Sequence, residues 1–386
     1  MAKILFITTR NPYSGRYSGD VIRALKVINF LRKKNIVDVV YLSKKKNITQ
    51  TKKNKRDSFF FYPNIFLKIF YCLSNVLKLQ PLQFGLFFSQ EMSNFIKKNA
   101  KNYNLLFFHQ IRSSQYLPKD FKGKSILEMG DLYSDNYFQT YKNLGLLSIF
   151  KYIYMIESFL VKKTEIKLLS TFDRIILFSK SEIKKIDNRF KKKIFYITEA
   201  NDRIKNKYFF SKNNNQILFI GNLGYIPNIM ACKDFIINVM PKLKSEIPNI
   251  KLNIIGNIKI IDKFVFSFFK NVNILGPQKN LDRHIKNTIC GIANLKIATG
   301  VQGKILTYMS FGLPVICSKK TASNFGKSVL SYKNNKKLIE NICMLKNNKK
   351  ISQIFSKKSL SCVKKLNWNK IKLDYSKVIK FSKKSF

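Results

Sequence analysis

The sequence predicts an α/β chain of two doubly wound domains, and three observations carry that prediction. Apolar runs of strand length recur through both halves, with helix-length segments between most of them. A polar stretch, Glu199 to Asn206, divides these runs into two series. In the second series the runs end in glycine, as buried parallel strands do where they open into ligand-facing loops. A length of 386 residues suits two cores of roughly 150–200 residues each better than one.

In the first series KILFIT (3–8), VDVVYLS (37–43), NLLFFHQ (104–110), SILEMGD (125–131), RIILFS (174–179) and KIFYIT (193–198) read as strands. The apolar run before Arg10 is too short for a signal-peptide core or a spanning helix, so MAKILFITTRNP reads as the first strand. Tyr13 to Asp20 follows it, and Gly15 and Gly19 there permit a ligand to approach the backbone closely. The stretch 44–79 is less regular. Lys44, Lys45, Lys46, Lys52, Lys53, Lys55 and Arg56 precede FFFYPNIFLKIFYCLSNVLKL (59–79), which reads as an apolar helix with one polar stripe of Asn64, Lys68, Tyr71, Asn75 and Lys78. A basic run beside such a helix suits an anionic membrane surface. A covered core helix beside a solvated lysine loop has the same pattern, and both readings stand.

In the second series ILFIGNLG (217–224) is an apolar strand opening into glycines. NIMACKDFIINVMPKLK (228–244) follows as a helix that puts Ile229, Cys232, Ile236, Val239, Met240 and Leu243 on one face. LNIIGN (252–257) and VNILGP (272–277) are two further strands, each with its glycine where a ligand would lie. ATGVQGKILTYMSFGLPVICS (298–318) supplies a glycine loop, a short helix entered through Lys304, a turn at Gly312 and a last strand. Glycines, a helix N-terminus and a lysine together suit an anion such as pyrophosphate.

The formal charge of +51 invites a nucleic-acid reading, but the excess is lysine, with only ten arginines, spread over both halves. Lysine, Asn, Ile and Phe share A/T-rich codons, and arginine, which makes bidentate base contacts, is scarce. Nucleic acid is therefore set aside as a partner. Six cysteines show no metal-ligand spacing, and with two histidines in all, a zinc site is not expected and reduced thiols are.

Gly221, Pro227, Asn228, Gly276, Gly300, Lys304, Leu306, Met309, Gly312, Pro314 and Val315 follow, in order, a known motif series. They resemble the donor domain of glycosyltransferase family 4, the "glycosyl transferases group 1" type. The resemblance implies the GT-B fold, with two Rossmann-like domains facing a cleft and a carboxyl-terminal helix crossing back to the first. Residues 1–202 would form the acceptor-side domain, 203–365 the donor-binding domain and 366–386 the returning helix, with Trp368 as its anchor or as an ordinary core aromatic. Trp368, Ile371, Tyr375 and Val378 fall on one face of that helix.

By the same resemblance, Gly221, Asn222, Gly276, Pro277, Thr299, Gly300, Val301, Gln302, Gly303 and Thr307 line the nucleotide, and Lys304 neutralises the departing diphosphate. Asn222 stands where many members have arginine. Thr299 and Thr307 stand where the family often has a glutamate pair, the second of which accepts from the ribose. The acceptor loop falls at Gly15, Arg16, Gly19 and Arg112. His109 ends its strand where related enzymes place a histidine near the donor sugar, and Asp131 ends the next, as a ligand for a sugar hydroxyl, a base for the acceptor proton or a helix cap. Glu157 and Glu165 read as structural.

The implied activity is transfer of a sugar from a nucleotide-sugar donor to an envelope glycan or lipid-linked acceptor, with retention of configuration. It would take place in the cytoplasm or peripherally on the inner face of the plasma membrane. No D-x-D motif marks a metal site, and no metal or other cofactor is expected. Two rivals remain: a non-catalytic sugar-nucleotide-binding or scaffold member, made plausible by Thr299 and Thr307, and a nucleotide-sugar epimerase. The epimerase would need more acidic and histidine residues than His109 and Asp131 supply.

Overall fold

The computed structural model describes all residues except 15–18, 44–56, 202–203 and 381–386. Among the described residues the strands form two sheets, each parallel throughout. The first contains β1 (Lys3–Thr8), β2 (Ile36–Ser43), β3 (Asp57–Phe61), β4 (Leu105–His109), β5 (Lys124–Gly130), β6 (Arg174–Leu177) and β7 (Ile194–Tyr196), in the order β3-β2-β1-β4-β5-β6-β7. The second contains β8 (Gln216–Ile220), β9 (Lys251–Ile255), β10 (Val272–Gly276), β11 (Thr288–Ala293), β12 (Val315–Ser318) and β13 (Leu330–Tyr332), in the order β10-β9-β8-β11-β12-β13. The chain is therefore α/β with two doubly wound sheets. Each sheet reverses its winding once, between β1 and β4 in the first and between β8 and β11 in the second. At such a reversal the loops leaving the two strands part in opposite directions and open a crevice at the carboxyl edge.

The central strands are apolar without alternation because helices cover both faces of each sheet: Ile4, Leu5, Phe6 and Ile7 of β1 are wholly buried, as are Ile217, Leu218 and Phe219 of β8. Three local expectations change. The stretch 59–79 is not one helix: residues up to Phe61 pair with β2 as β3, Pro63 stops the strand, and Asn64 caps a helix at Ile65–Leu77 by accepting from Leu67 N at 2.9 Å. The basic residues before it, Lys44 to Arg56, lie outside the described residues. The helix expected over 228–244 is two, Ile226–Asn238 and Met240–Glu246, because Pro241 has no N–H to continue the ladder past Val239. The third concerns Gly256, expected where a ligand would lie: packing alone already requires a glycine there. It makes room for the loop after β8, since at φ +144° a Cβ there would stand 1.8 Å from the Gly221 carbonyl oxygen.

By compactness the chain forms two units. The first comprises Met1–Phe138, Leu147–Ile197 and the residues from Tyr375 on; the second comprises Gln139–Leu146 and Thr198–Asp374. The last helix, Trp368–Ile379, thus begins in the second unit and ends in the first. Trp368, Ile371, Tyr375 and Val378 are all buried along its one face. Within the first unit the Tyr375 hydroxyl donates to Glu128 in the middle of β5. Arg23 Nε donates to the same carboxylate at 2.8 Å, and its guanidinium stacks 3.7 Å from the Phe178 ring. Burial alone would raise the Glu128 carboxyl, but Arg23, His109 and Tyr375 overcome it and hold it down at about 2.

Candidate functional site

In the second unit the residues expected to bind a nucleotide lie on the loops that leave β8, β10 and β11 and on the helix Gly303–Ser310. Lys304 enters on the helix Gly303–Ser310, and its Nζ donates to Asn228 Oδ1 at 2.7 Å and lies 4.6 Å from the centre of the Phe219 ring. Asn228 in turn donates through Nδ2 to the Asn222 carbonyl at 2.9 Å, so one amide fixes both the lysine and the loop after β8. A methyl group on Gly221 would stand 3.0 Å from the Asn228 amide and 3.2 Å from Lys304 Nζ, which explains the absence of a side chain there. The residue Lys304 is half-buried, but its ammonium lies against a ring and an amide, and burial pushes it down to about 7. A lysine held this way gains most from an arriving anion, which restores the charge that the protein disfavours.

The other expected donor residues lie around it. Gly300 sits at φ +60°, its carbonyl held by Asn324 Nδ2 at 2.6 Å, and Gln302 Nε2 donates to Thr299 O at 2.8 Å as the chain turns into the helix. Val301 packs against the buried cluster behind the loop. Thr307 lies one turn further on, with its hydroxyl bonded back to Gly303 O at 3.1 Å. Asn222 is exposed, accepting from Gly224 N at 3.0 Å. Gly276, at φ +65° with open space around its α-carbon, ends β10, and the exposed Pro277 follows. Tyr308, wholly buried, donates to Ile292 O at 3.1 Å and accepts from Ile220 N at 2.7 Å, tying the ends of β8 and β11 to the helix that carries Lys304.

Residues 214–348 match the family described as Glycosyl transferases group 1. The match lies in the second unit, over the stretch that holds β8 to β13 and the helix that carries Lys304. The chain is also 27% identical over 271 residues to an uncharacterized 44.6 kDa protein in the cps region of Klebsiella pneumoniae, a match that spans 67% of this chain and 66% of that one. Among solved structures it is similar to Anabaena Alr3699/HepE, solved with UDP and glucose, with a TM-score of 0.66, 13% identity and 98% and 99% of the two chains covered. A variant of S. aureus TarM, solved with Fondaparinux, alpha-GlcNAc-glycerol and UDP, gives a TM-score of 0.68 at 12% identity over 98% and 99%. At these identities the likeness speaks for the fold, which is the two-domain α/β fold of GT-B proteins.

In the first unit the expected residues divide. Gly15 and Arg16 lie outside the described residues; Gly19 opens the helix Gly19–Leu31. His109 was expected at an open strand end, but it is buried, with Nε2 3.0 Å from Asp20 O and Nδ1 3.2 Å from Glu128 Oε1. Both ring nitrogens thus face oxygens of the unit's own core, and the histidine holds the end of β4 to the helix after the glycine loop. Arg112 donates through Nε to Gln83 Oε1 at 2.9 Å and stacks over the Phe87 ring at 4.5 Å; its Nη1 is buried with no hydrogen-bond partner among the described residues. Asp131 follows β5, half-buried, close enough to Tyr133 to raise its hydroxyl further after burial has done so. Glu157 and Glu165 are buried caps: the first accepts from Leu82 N and Gln83 N, the second from Ser134 N at 3.1 Å.

Two groups were not identified from sequence. Asn228 stood in the motif without a role, and the partnership of Arg23, Glu128 and Tyr375 was not anticipated. The signal for the latter was a lone arginine in the apolar run VIRALKVI and a lone glutamate inside SILEMG. A cavity of about 530 Å³ in the first unit, lined by Lys3, Asp38 and Tyr103, lies at the amino end of β1 and β2, away from the carboxyl edge. Among the described residues no group of three or more His, Cys, Asp and Glu could hold a metal ion, all six cysteines are free, and no helix is long and apolar enough to cross a membrane.

Proposed function

We propose that the chain is a glycosyltransferase that moves a sugar from a nucleoside-diphosphate donor to an envelope glycan or lipid-linked acceptor, with retention of anomeric configuration, at the cytoplasmic side. The observation that carries this reading is the half-buried Lys304, braced by Asn228 at the mouth of a glycine-lined strand end. As the bond between the anomeric carbon and the diphosphate breaks, negative charge grows on the departing phosphate oxygens. Lys304 and the N-terminus of its helix meet that charge, while the acceptor hydroxyl forms the new carbon–oxygen bond and gives up its proton to the Asp131 carboxylate. The ribose is assigned to Thr299 and Thr307, the base to the Gly276–Pro277 turn and the diphosphate to the loops at Gly221–Asn222 and Gly300–Gly303. In the first unit, Gly19 and Arg112 are assigned to the acceptor, Asp131 to its hydroxyl and His109 to positioning. UDP in the HepE and TarM structures, and a relative in a cps region, support this reading by likeness.

The test is a panel of nucleotide sugars scored by thermal stabilisation and then by product formation from labelled donor. A ligand at a hundred times its dissociation constant adds about 2.7 kcal/mol to the unit that binds it. One nucleotide class should stabilise the protein, and Lys304→Ala should weaken its diphosphate by roughly 1.5–3 kcal/mol. Stabilisation without turnover against any acceptor would favour the non-catalytic sugar-nucleotide-binding reading instead.

A further inference from the structure

The helix Ile65–Leu77 is mounted with its apolar side outward. Its polar stripe turns toward the protein: Asn75 Nδ2 donates to Pro81 O at 3.3 Å, Lys68 lies 5.4 Å from the centre of the Tyr62 ring, and Tyr71 packs edge-on to Phe88. No residue of this helix is fully buried. Phe66, Phe70, Leu73 and Leu77, at i, i+4, i+7 and i+11, form a stripe whose members are 61% to 86% exposed. That pattern is the reverse of a helix that covers a core.

A second helix is joined to the first through a short one. The short helix Leu82–Leu86 presses on the first, because a Cβ on Gly85 would stand 2.6 Å from Cys72 N. Its own N-terminus is seated on Glu157, which accepts from Leu82 N at 2.8 Å and Gln83 N at 3.1 Å. Glu157 belongs to the helix Ile149–Thr171, whose first turn leaves Ile149 and Phe150 exposed. Neither long helix shows a carboxylate to solvent: the first contains none, and Glu157 and Glu165 of the second are buried. Lys78, at the end of the first, and Lys162 and Lys163, on the second, are exposed.

We propose that this two-helix face of the first unit docks on an anionic lipid bilayer. The exposed aromatic and aliphatic side chains enter the boundary between headgroups and acyl chains, while the lysines meet headgroup phosphates. Charge selects this occupant. A second copy of the chain, at a formal charge of +51, would bring two lysine-rimmed faces together, whereas an anionic surface complements them. The inference goes beyond the donor-site reading and draws on none of its residues.

The experiment is co-sedimentation of the full chain with vesicles of phosphatidylcholine alone and with phosphatidylglycerol added, at low and high salt. Binding is expected to the mixed vesicles, stronger than to the neutral ones by about tenfold or more, and weaker as salt rises because exposed charges are then screened. Phe66→Ser with Phe70→Ser should lower binding to mixed vesicles by about tenfold at any salt, since the loss is apolar. Lys78→Gln with Lys162→Gln and Lys163→Gln should lower it at low salt only. Equal binding to both vesicle types, or no loss in the phenylalanine variant, overturns the proposal. So does a concentration-dependent dimer by light scattering that the phenylalanine variant abolishes, since the face would then belong to a second copy. Stabilisation by nucleoside diphosphate, measured on the same variants, should stay unchanged; its absence in the parent chain would count against the donor site alone.

Discussion

Because burial pulls the Lys304 ammonium from about 10.5 to about 7, the unfolded chain holds a proton between those values that the folded chain has released. Stability therefore rises with pH through this group across that window, and its penalty is complete below pH 7. Lys304→Met removes the penalty, against about 1 kcal/mol for the lost Asn228 bond, and should raise Tm at pH 7 by roughly 2–4 °C while weakening diphosphate binding as Lys304→Ala does. The gain should fade by pH 10; a gain of equal size at both pH values would show that charge burial is not its source. Thr307→Glu tests the ribose assignment: a carboxylate there should strengthen nucleoside diphosphate binding about tenfold by calorimetry, since charge-assisted bonds exceed neutral ones. No gain would remove Thr307 from the ribose. Lys304 was legible in the sequence because a glycine loop before a short helix has few other uses. Asn228, its brace, was not, because spacing cannot show that an amide 76 residues away reaches the lysine.

At the scale of elements, most strands could be read directly because parallel strands covered on both faces are continuous apolar runs. β3 escaped because its phenylalanines run on into an equally apolar helix, and only Pro63 and Asn64 mark the change. β11 escaped for the opposite reason: TICGIA contains Cys290 and Gly291 where branched residues are usual, and Gly291 is there because a Cβ would stand 2.4 Å from the Tyr308 ring. Gly256 performs the same service between β9 and the loop after β8. Gly256→Ala would drive a methyl into the Gly221 carbonyl from a backbone angle that side chains rarely adopt, and should destabilise the second unit by about 3 kcal/mol or more. Urea denaturation reads this directly; a loss under about 1 kcal/mol would mean that β9 can shift to make room.

For the whole molecule, the two units repeat one topological idea, a parallel sheet that reverses its winding once, and the motif residues concentrate at the reversal in the second. The sequence revealed this duplication through two strand series, but not that residues from Tyr375 on complete the first unit's core. Tyr375→Phe removes a hydroxyl from the buried Glu128, leaving Arg23 and His109 to hold the carboxylate, and should cost about 1–3 kcal/mol in thermal or urea unfolding. An unchanged Tm would show that Arg23 alone satisfies Glu128. The same contact has a consequence for how the chain is made. Tyr375 follows Glu128 by 247 residues, a gap that a ribosome adding about 5–20 residues per second needs roughly 12–50 s to cover. For most of that interval, from the completion of β7 at Tyr196 onward, the first unit waits on the ribosome with its strands synthesised and its central carboxylate short of one partner, so it completes its core only after the second unit has been made.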